Sequence, residues 1–157
     1  MSVITLVPVA DPTSIPHSES LSEYEDWGEF DQRAQIADTR HWLIRETDGA
    51  TSTVVGSLSA HPVYYGPTAG SRAMNIGIHV LEHHRGRGIG TEAQRLLAQL
   101  LHGEGIIRVE AQTDVENLAE QRSLRGAGFV FEGVLRQAQG RRDGIHDVQS
   151  WSHLSNG

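Results

Sequence analysis

The stretch His83 to Leu101, HHRGRGIGTEAQRLLAQLL, limits what this chain can become more than any other part of it. Gly86, Gly88 and Gly90 alternate with Arg85, Arg87 and Ile89, and the segment then runs into Ala93, Leu96, Leu97, Leu100 and Leu101 at three- and four-residue spacing. That spacing predicts a helix over Gly90 to His102, stopped by Gly103. A glycine-rich loop entering a helix N-terminus presents unpaired backbone N–H groups and the positive end of the helix dipole. The loop is an anion site, and its two arginines add charge.

The rest of the chain narrows the choice of anion. Its 157 residues, 38% apolar and 21% charged, suit one globular domain spanning 1–157, without repeats or low-complexity tracts. No apolar run is long enough to cross a bilayer, and MSVITLVPVADPTS lacks the basic start of a signal peptide, so a cytoplasmic address is expected. The absence of cysteine excludes disulfides, thiolate metal sites and thiol catalysis. A net charge of -7 argues against nucleic acid and anionic membrane as partners and favours cationic ones. All 13 basic residues are arginine; the chain has no lysine to be acylated.

Alternating apolar residues predict strands at Ser2 to Pro8, His41 to Glu46, Thr53 to His61, Met74 to Leu81, Ile107 to Thr113, Phe129 to Arg136 and Ile145 to Trp151. A second helix is expected from Leu118 to Arg125, closed by Gly126 and Gly128. QGRRDG reads as a hairpin with a longer loop, and Arg136 and Asp147 as a cross-strand ion pair on its two strands. Antiparallel-looking strands followed by alternating strands and helices imply a mixed sheet.

Three ligand classes use glycine loops of this kind. A nucleotide P-loop ends in Gly-Lys-Ser/Thr, which a lysine-free chain cannot supply. Gly88 to Ala93 matches the dinucleotide pattern G-x-G-x-x-A, with Glu110 about twenty residues on, but EHHRGR separates the loop from its strand and only one strand–helix–strand unit follows. The third class fits better. Arg85-Gly86-Arg87-Gly88-Ile89-Gly90 is R-x-x-G-x-G, which resembles the acyl-coenzyme A loop of the GNAT N-acetyltransferase superfamily. The flanking AMNIGIHVLE and TEAQRLLAQLL resemble that family's fourth strand and long helix, and VEAQTDVENLAEQRSLRGAGFVFEGVLR its fifth strand, Asn-led helix and sixth strand. The likeness covers most of Arg72 to Trp151 and is nearest the branch that acetylates ribosomal-protein N-termini and small amines.

The resemblance implies an α/β (α+β) fold: a mixed, mostly antiparallel twisted sheet of about seven strands, with helices on both faces and strands 4 and 5 splayed apart. It implies acetyl-coenzyme A as acyl donor. Backbone N–H groups of Gly86, Arg87, Gly88, Ile89, Gly90 and Thr91 would hold the pyrophosphate, with Arg85 and Arg87 adding charge-assisted bonds. The pantetheine amides would pair with the fourth strand near His79, Val80 and Leu81, where a backbone N–H could stabilise the oxyanion. Asn117 would cap its helix and orient the pantetheine, and Arg122 would reach a phosphate.

Acid and base depart from the family pattern. The usual glutamate base falls on Asn75, which then only lines the acceptor site; His79, on the same strand face, is the alternative base, or is simply packed there. The tyrosine acid position falls on Leu124, and the serine of the related branch on Glu120. Glu120 is either a neutral acid or the far half of a capping box with Asn117, the box being preferred; Ser123 is the fallback acid. The acidic, aromatic run Ser18 to Asp31 includes Glu19, Tyr24, Glu25, Asp26, Trp27, Glu29, Phe30 and Asp31. The resemblance places it as helices walling the site of a cationic amine, small molecule or peptide, with an amphipathic surface helix as the plain alternative. His79, His83 and His84 lack zinc spacing, so no metal is expected. Monomer and homodimer both stay open, as does a coenzyme A-binding module without catalysis.

Overall fold

The computed structural model describes residues 1–18, 21–28, 34 and 36–156. Its strands are β1 (Ser2–Val9), β2 (Arg40–Asp48), β3 (Thr51–Tyr64), β4 (Arg72–Val80), β5 (Arg108–Asp114), β6 (Val130–Arg141) and β7 (Gly144–Leu154). Its α-helices are α1 (Ile89–Gly103) and α2 (Leu118–Gly126). The strands form one sheet in the order β1-β2-β3-β4-β5-β7-β6, antiparallel except between β4 and β5. Every strand and both helices expected from the sequence are present.

Alternation sorts the two faces. Trp42 and Ile44 on β2, Leu58 and Ala60 on β3, Met74 and Ile76 on β4, and Val109 and Ala111 on β5 are all buried in one cluster. Ala93, Leu97 and Leu101 of α1 and Leu124 of α2 close over the same cluster, so both α-helices cover one face. A fully buried leucine such as Leu97 contributes about 1.5–3 kcal/mol by leaving water. Asn75, His79, Glu110 and Gln112 alternate with the core residues and point to the opposite face. The short helical turn Glu23–Glu25 lies on that second face, because Glu25 and Ser18 both reach the His79 ring.

Strands β4 and β5 share only two registered pairs, Met74↔Val109 and Asn75↔Glu110, and then diverge. This is the expected splay. Leu81 N–H donates to Val55 O at 2.9 Å, so odd-numbered β4 residues direct their backbone groups to β3. Ile78 and Val80 therefore turn theirs into the gap.

Several local expectations are corrected. The hairpin is tight, not long-looped: Arg141 pairs with Gly144, and only Arg142 and Asp143 turn between them. Strand β6 runs on to Arg141 because the register shifts between Leu135 and Gln139, a bulge that interrupts the alternation. That bulge also separates Arg136 from Asp147, whose carboxylate instead accepts the Gln137 N–H at 2.7 Å. In the acidic run, Glu19, Glu29, Phe30 and Asp31 lie outside the described residues; the described part holds the Glu23–Glu25 turn, not an amphipathic helix. Among the described residues, no helix is long and apolar enough to cross a membrane.

Candidate active site

The glycine loop lies where the sheet opens. Gly86 and Gly88 take left-handed φ of 73° and 79°, and an added Cβ at either would meet nothing within 4 Å, so backbone conformation selects glycine and the space in front stays open. The first helical bond of α1 runs from Glu92 N–H to Gly88 O at 3.2 Å, so the N–H groups of Ile89, Gly90 and Thr91 precede the ladder. A Cβ on Gly90 would stand 3.6 Å from both Ile78 and Val80 side chains, which fixes the helix start directly over the splayed end of β4.

Both loop arginines have partners. Arg85 donates from Nε to Val80 O at 2.9 Å, and its guanidinium lies 3.9 Å from Glu25. Arg87 pairs with Glu46 at 2.6 Å and touches His84 Nδ1 at 3.3 Å. Arg122 is exposed on α2. A positive-φ cradle, early helix N–H groups and two guanidiniums fit a pyrophosphate, and the opened β4 edge fits an amide-bearing arm.

His79 is held at both ring nitrogens. Glu25 Oε2 lies 2.8 Å from Nδ1, and Ser18 Oγ lies 3.1 Å from Nε2. The Glu25 contact is off the ring N–H direction, so it is an ion-pair approach rather than an aligned hydrogen bond. The ring nonetheless outweighs burial and, with Ser22 and Arg85, holds the Glu25 carboxyl below the usual carboxylate range. Asn75 donates to Gln112 across the β4–β5 join. His83 faces Glu82 and His84 faces Arg87, so the three histidines do not converge.

The capping box forms only by half. Asn117 Oδ1 accepts Glu120 N–H at 3.2 Å, but the Glu120 carboxylate turns away to the Nε2 of Gln94, a side chain buried in α1. Between the helices Glu120 loses its water, and burial pushes its carboxyl up to about 7 against the opposing Gln94 bond. Ser123 Oγ donates to Gln94 Oε1 at 3.1 Å and meets Thr91 Oγ1 at 3.2 Å, so α1 and α2 share one polar string. Leu124, at the family's tyrosine position, is buried in the core. Gln94 carried no signal in the sequence beyond one polar residue on an apolar helix face.

Two described acids of the run, Glu25 and Asp26, are matched by cationic partners. Asp26 takes Arg142 Nε at 2.9 and 3.0 Å, and its carbonyl accepts Arg142 N–H at 2.9 Å. Tyr24 OH donates to Glu116 O at 3.2 Å, with Arg141 over its ring. Trp27 is half-buried. Residues Tyr24 to Gly28 thus strap onto the β6–β7 hairpin. Sequence reading missed that hairpin's buried pair, Arg141 with Asp114. Burial would raise Asp114, but the Glu116 N–H and Arg141 more than offset it and its carboxyl stays low. Glu110, the acid of the dinucleotide reading, is buried and held by Tyr65 at 2.8 Å and Arg108 at 2.8 Å.

Residues 9–129 match the Acetyltransferase (GNAT) family. A Bacillus subtilis (strain 168) relative, named "Probable N-acetyltransferase YjcK", is 29% identical over 110 residues, which is 69% of this chain and 58% of the relative. The solved structure of Mycobacterium smegmatis RimJ in complex with CoA-disulfide superposes with a TM-score of 0.62 at 25% identity, over 74% of this chain and 53% of that one. The microcin C7 self immunity acetyltransferase MccE, in complex with acetyl-CoA and AMP, gives a TM-score of 0.61 at 22% identity, over 74% of this chain and 61% of that one. The chain spans less than two thirds of the length of each of these proteins. Since the match runs from the end of β1 through the glycine loop and α2, and these solved proteins share the sheet that carries them, the chain belongs to the acetyltransferase (GNAT) family.

Proposed function

We propose that the chain is a single-domain, acetyl-coenzyme A-dependent N-acetyltransferase that passes the acetyl group to a primary amine by direct attack in a ternary complex. The observation that carries this reading is the placement of the glycine loop and α1 over the unpaired end of β4. The residues from Gly86 to Thr91, with Arg85 and Arg87, bind the phosphates, and the gap-facing groups of Ile78 and the N–H of Val80 receive the amide-bearing arm, the Val80 carbonyl being held by Arg85. Leu81 N–H is engaged by Val55, so it plays no part there. The bound donor supplies an activated acyl thioester.

His79 removes the proton that the amine must lose, at Nε2, while Glu25 steadies the imidazolium. A gap-facing N–H of β4 stabilises the developing oxyanion. Glu120, held near neutral pH, donates a proton to the departing sulfur; Ser123 and Thr91 brace Gln94 behind it. Asn117 sets the pitch of α2 so that Glu120 faces α1. The acceptor enters between the Tyr24–Gly28 strap and the opened strand edge. Glu25 and Asp26 are matched to His79 and Arg142, so recognition rests on the amine itself more than on an acidic wall. The Salmonella typhimurium acetyl transferase that modifies the N-terminal serine of 50S ribosomal subunit protein L7/L12 shares this fold, which supports a peptide N-terminus or a small amine as acceptor.

Calorimetry with acetyl-coenzyme A, followed by thiol release with a panel of peptides and small amines, tests the reading. Binding plus amine-dependent release supports it. Binding without release would favour a coenzyme A sensor, and no binding would remove the loop from function.

A further inference from the structure

Among the described residues, Ser18 is the one hydroxyl placed against the His79 ring, and nothing in acetyl transfer to an amine requires it. Its Oγ accepts Glu82 N–H at 3.2 Å, which leaves its own hydrogen free to point at His79 Nε2, 3.1 Å away. Glu25 lies 2.8 Å from Nδ1, off the N–H direction, so charge rather than an aligned bond selects the tautomer: a protonated Nδ1 beside the carboxylate, with Nε2 bare towards Ser18. A hydroxyl, an imidazole and a carboxylate in that order make the arrangement that activates a serine nucleophile. Three segments, 61 residues apart in the longest step, converge to build it beside the strand edge already assigned to the thioester.

We propose that Ser18, together with His79 and Glu25 of the transfer site, supplies a second catalytic activity, which hydrolyses acyl-coenzyme A through an acyl ester on Ser18. The proposal rests on the coenzyme A reading above. Ser18 Oγ attacks the thioester carbonyl carbon; the C–O bond forms and the C–S bond breaks. The hydroxyl proton passes to His79 Nε2 and from there to the departing sulfur, while Glu25 balances the imidazolium. Water then attacks the Ser18 ester, gives its proton to Nε2, and the ester oxygen leaves and recovers that proton. The products are free acid and coenzyme A, with no other reactant. When an amine is bound it competes for the same base, so hydrolysis belongs to the state with donor bound and acceptor absent.

The chain simplifies the test, because it has neither lysine nor cysteine to collect acetyl groups or release thiol of its own. The protein is incubated with acetyl-coenzyme A without amine, quenched in acid and mapped by peptide mass. A hydroxylamine-labile acetyl group on Ser18 is expected, absent from Ser18→Ala and His79→Gln. Thiol release without amine should fall about 100-fold in Ser18→Ala, the lower end of what a positioned acid–base pair contributes. Ser18→Cys should trap the acyl group as a thioester. Binding of acetyl-coenzyme A, measured by calorimetry, should survive in Ser18→Ala. Normal binding with no ester at position 18 and undiminished hydrolysis in Ser18→Ala would overturn the proposal alone. Failure of the wild type to bind would overturn the coenzyme A reading and this proposal together.

Discussion

Replacing Glu120 with glutamine should make the protein more stable and less active at once. The carboxyl moves from an ordinary 4.5 to about 7 because the interface of α1 and α2 strips its water. At about 1.4 kcal/mol per pH unit, ionising it inside the fold costs about 3 kcal/mol. The sign follows from proton binding: below about pH 4.5 the carboxyl is neutral in both states and no penalty exists, and above about pH 7 it is ionised in both and the whole penalty applies. Glu120→Gln keeps the shape and an oxygen for Gln94, and it never ionises. Urea unfolding should therefore show the variant about 2–3 kcal/mol more stable than wild type at about pH 8, and nearly equal to it at about pH 4.5. Thiol release with a saturating amine should fall about 100-fold. A complete capping box would instead give a small loss of stability at every pH. Equal stability of the two proteins at about pH 8 would refute the desolvation argument, and unchanged turnover would remove Glu120 from proton transfer.

Arg87→Ala should weaken acetyl-coenzyme A about 10- to 100-fold by calorimetry, the worth of one charge-assisted bond, without altering the α1 helix. Gly28 sits at φ 69° with an added Cβ only 2.9 Å from Arg142 Cα, so Gly28→Ala should push the strap off the hairpin, raising the acceptor KM while leaving donor affinity intact. Burial, then neighbouring His102, holds His153 below its usual 6.5, so the folded state prefers the neutral ring. Stability should be full above that value and decline as pH falls through the folded-state value; His153→Gln should flatten that decline in urea titrations.

Local chemistry was legible and long-range partnership was not. Alternation in AMNIGIHV and heptad-like leucines in TEAQRLLAQLL mark β4 and α1 because periodicity is written in neighbouring residues. The loop announces itself for the same reason. Glu120 misled because Asn117 lies three residues away and offers a ready local explanation, while Gln94, the partner its side chain takes, lies 26 residues back on another helix. Asp26 looked free for a cationic substrate since Arg142 is 116 residues distant. The β6 bulge escaped notice because a register shift breaks the very alternation by which strands are read.

The opened end of β4 has a meaning beyond ligand geometry. Unpaired strand groups are a template on which another chain can add itself, and such edges invite misassembly. An amide-bearing ligand lying along Ile78 and Val80 acts as the missing strand. By mass action, a ligand present at about 100 times its dissociation constant adds about 2.7 kcal/mol to the folded state. The protein's solubility and lifetime would then follow the acyl-donor supply of its surroundings, and a starved molecule would be the one that aggregates.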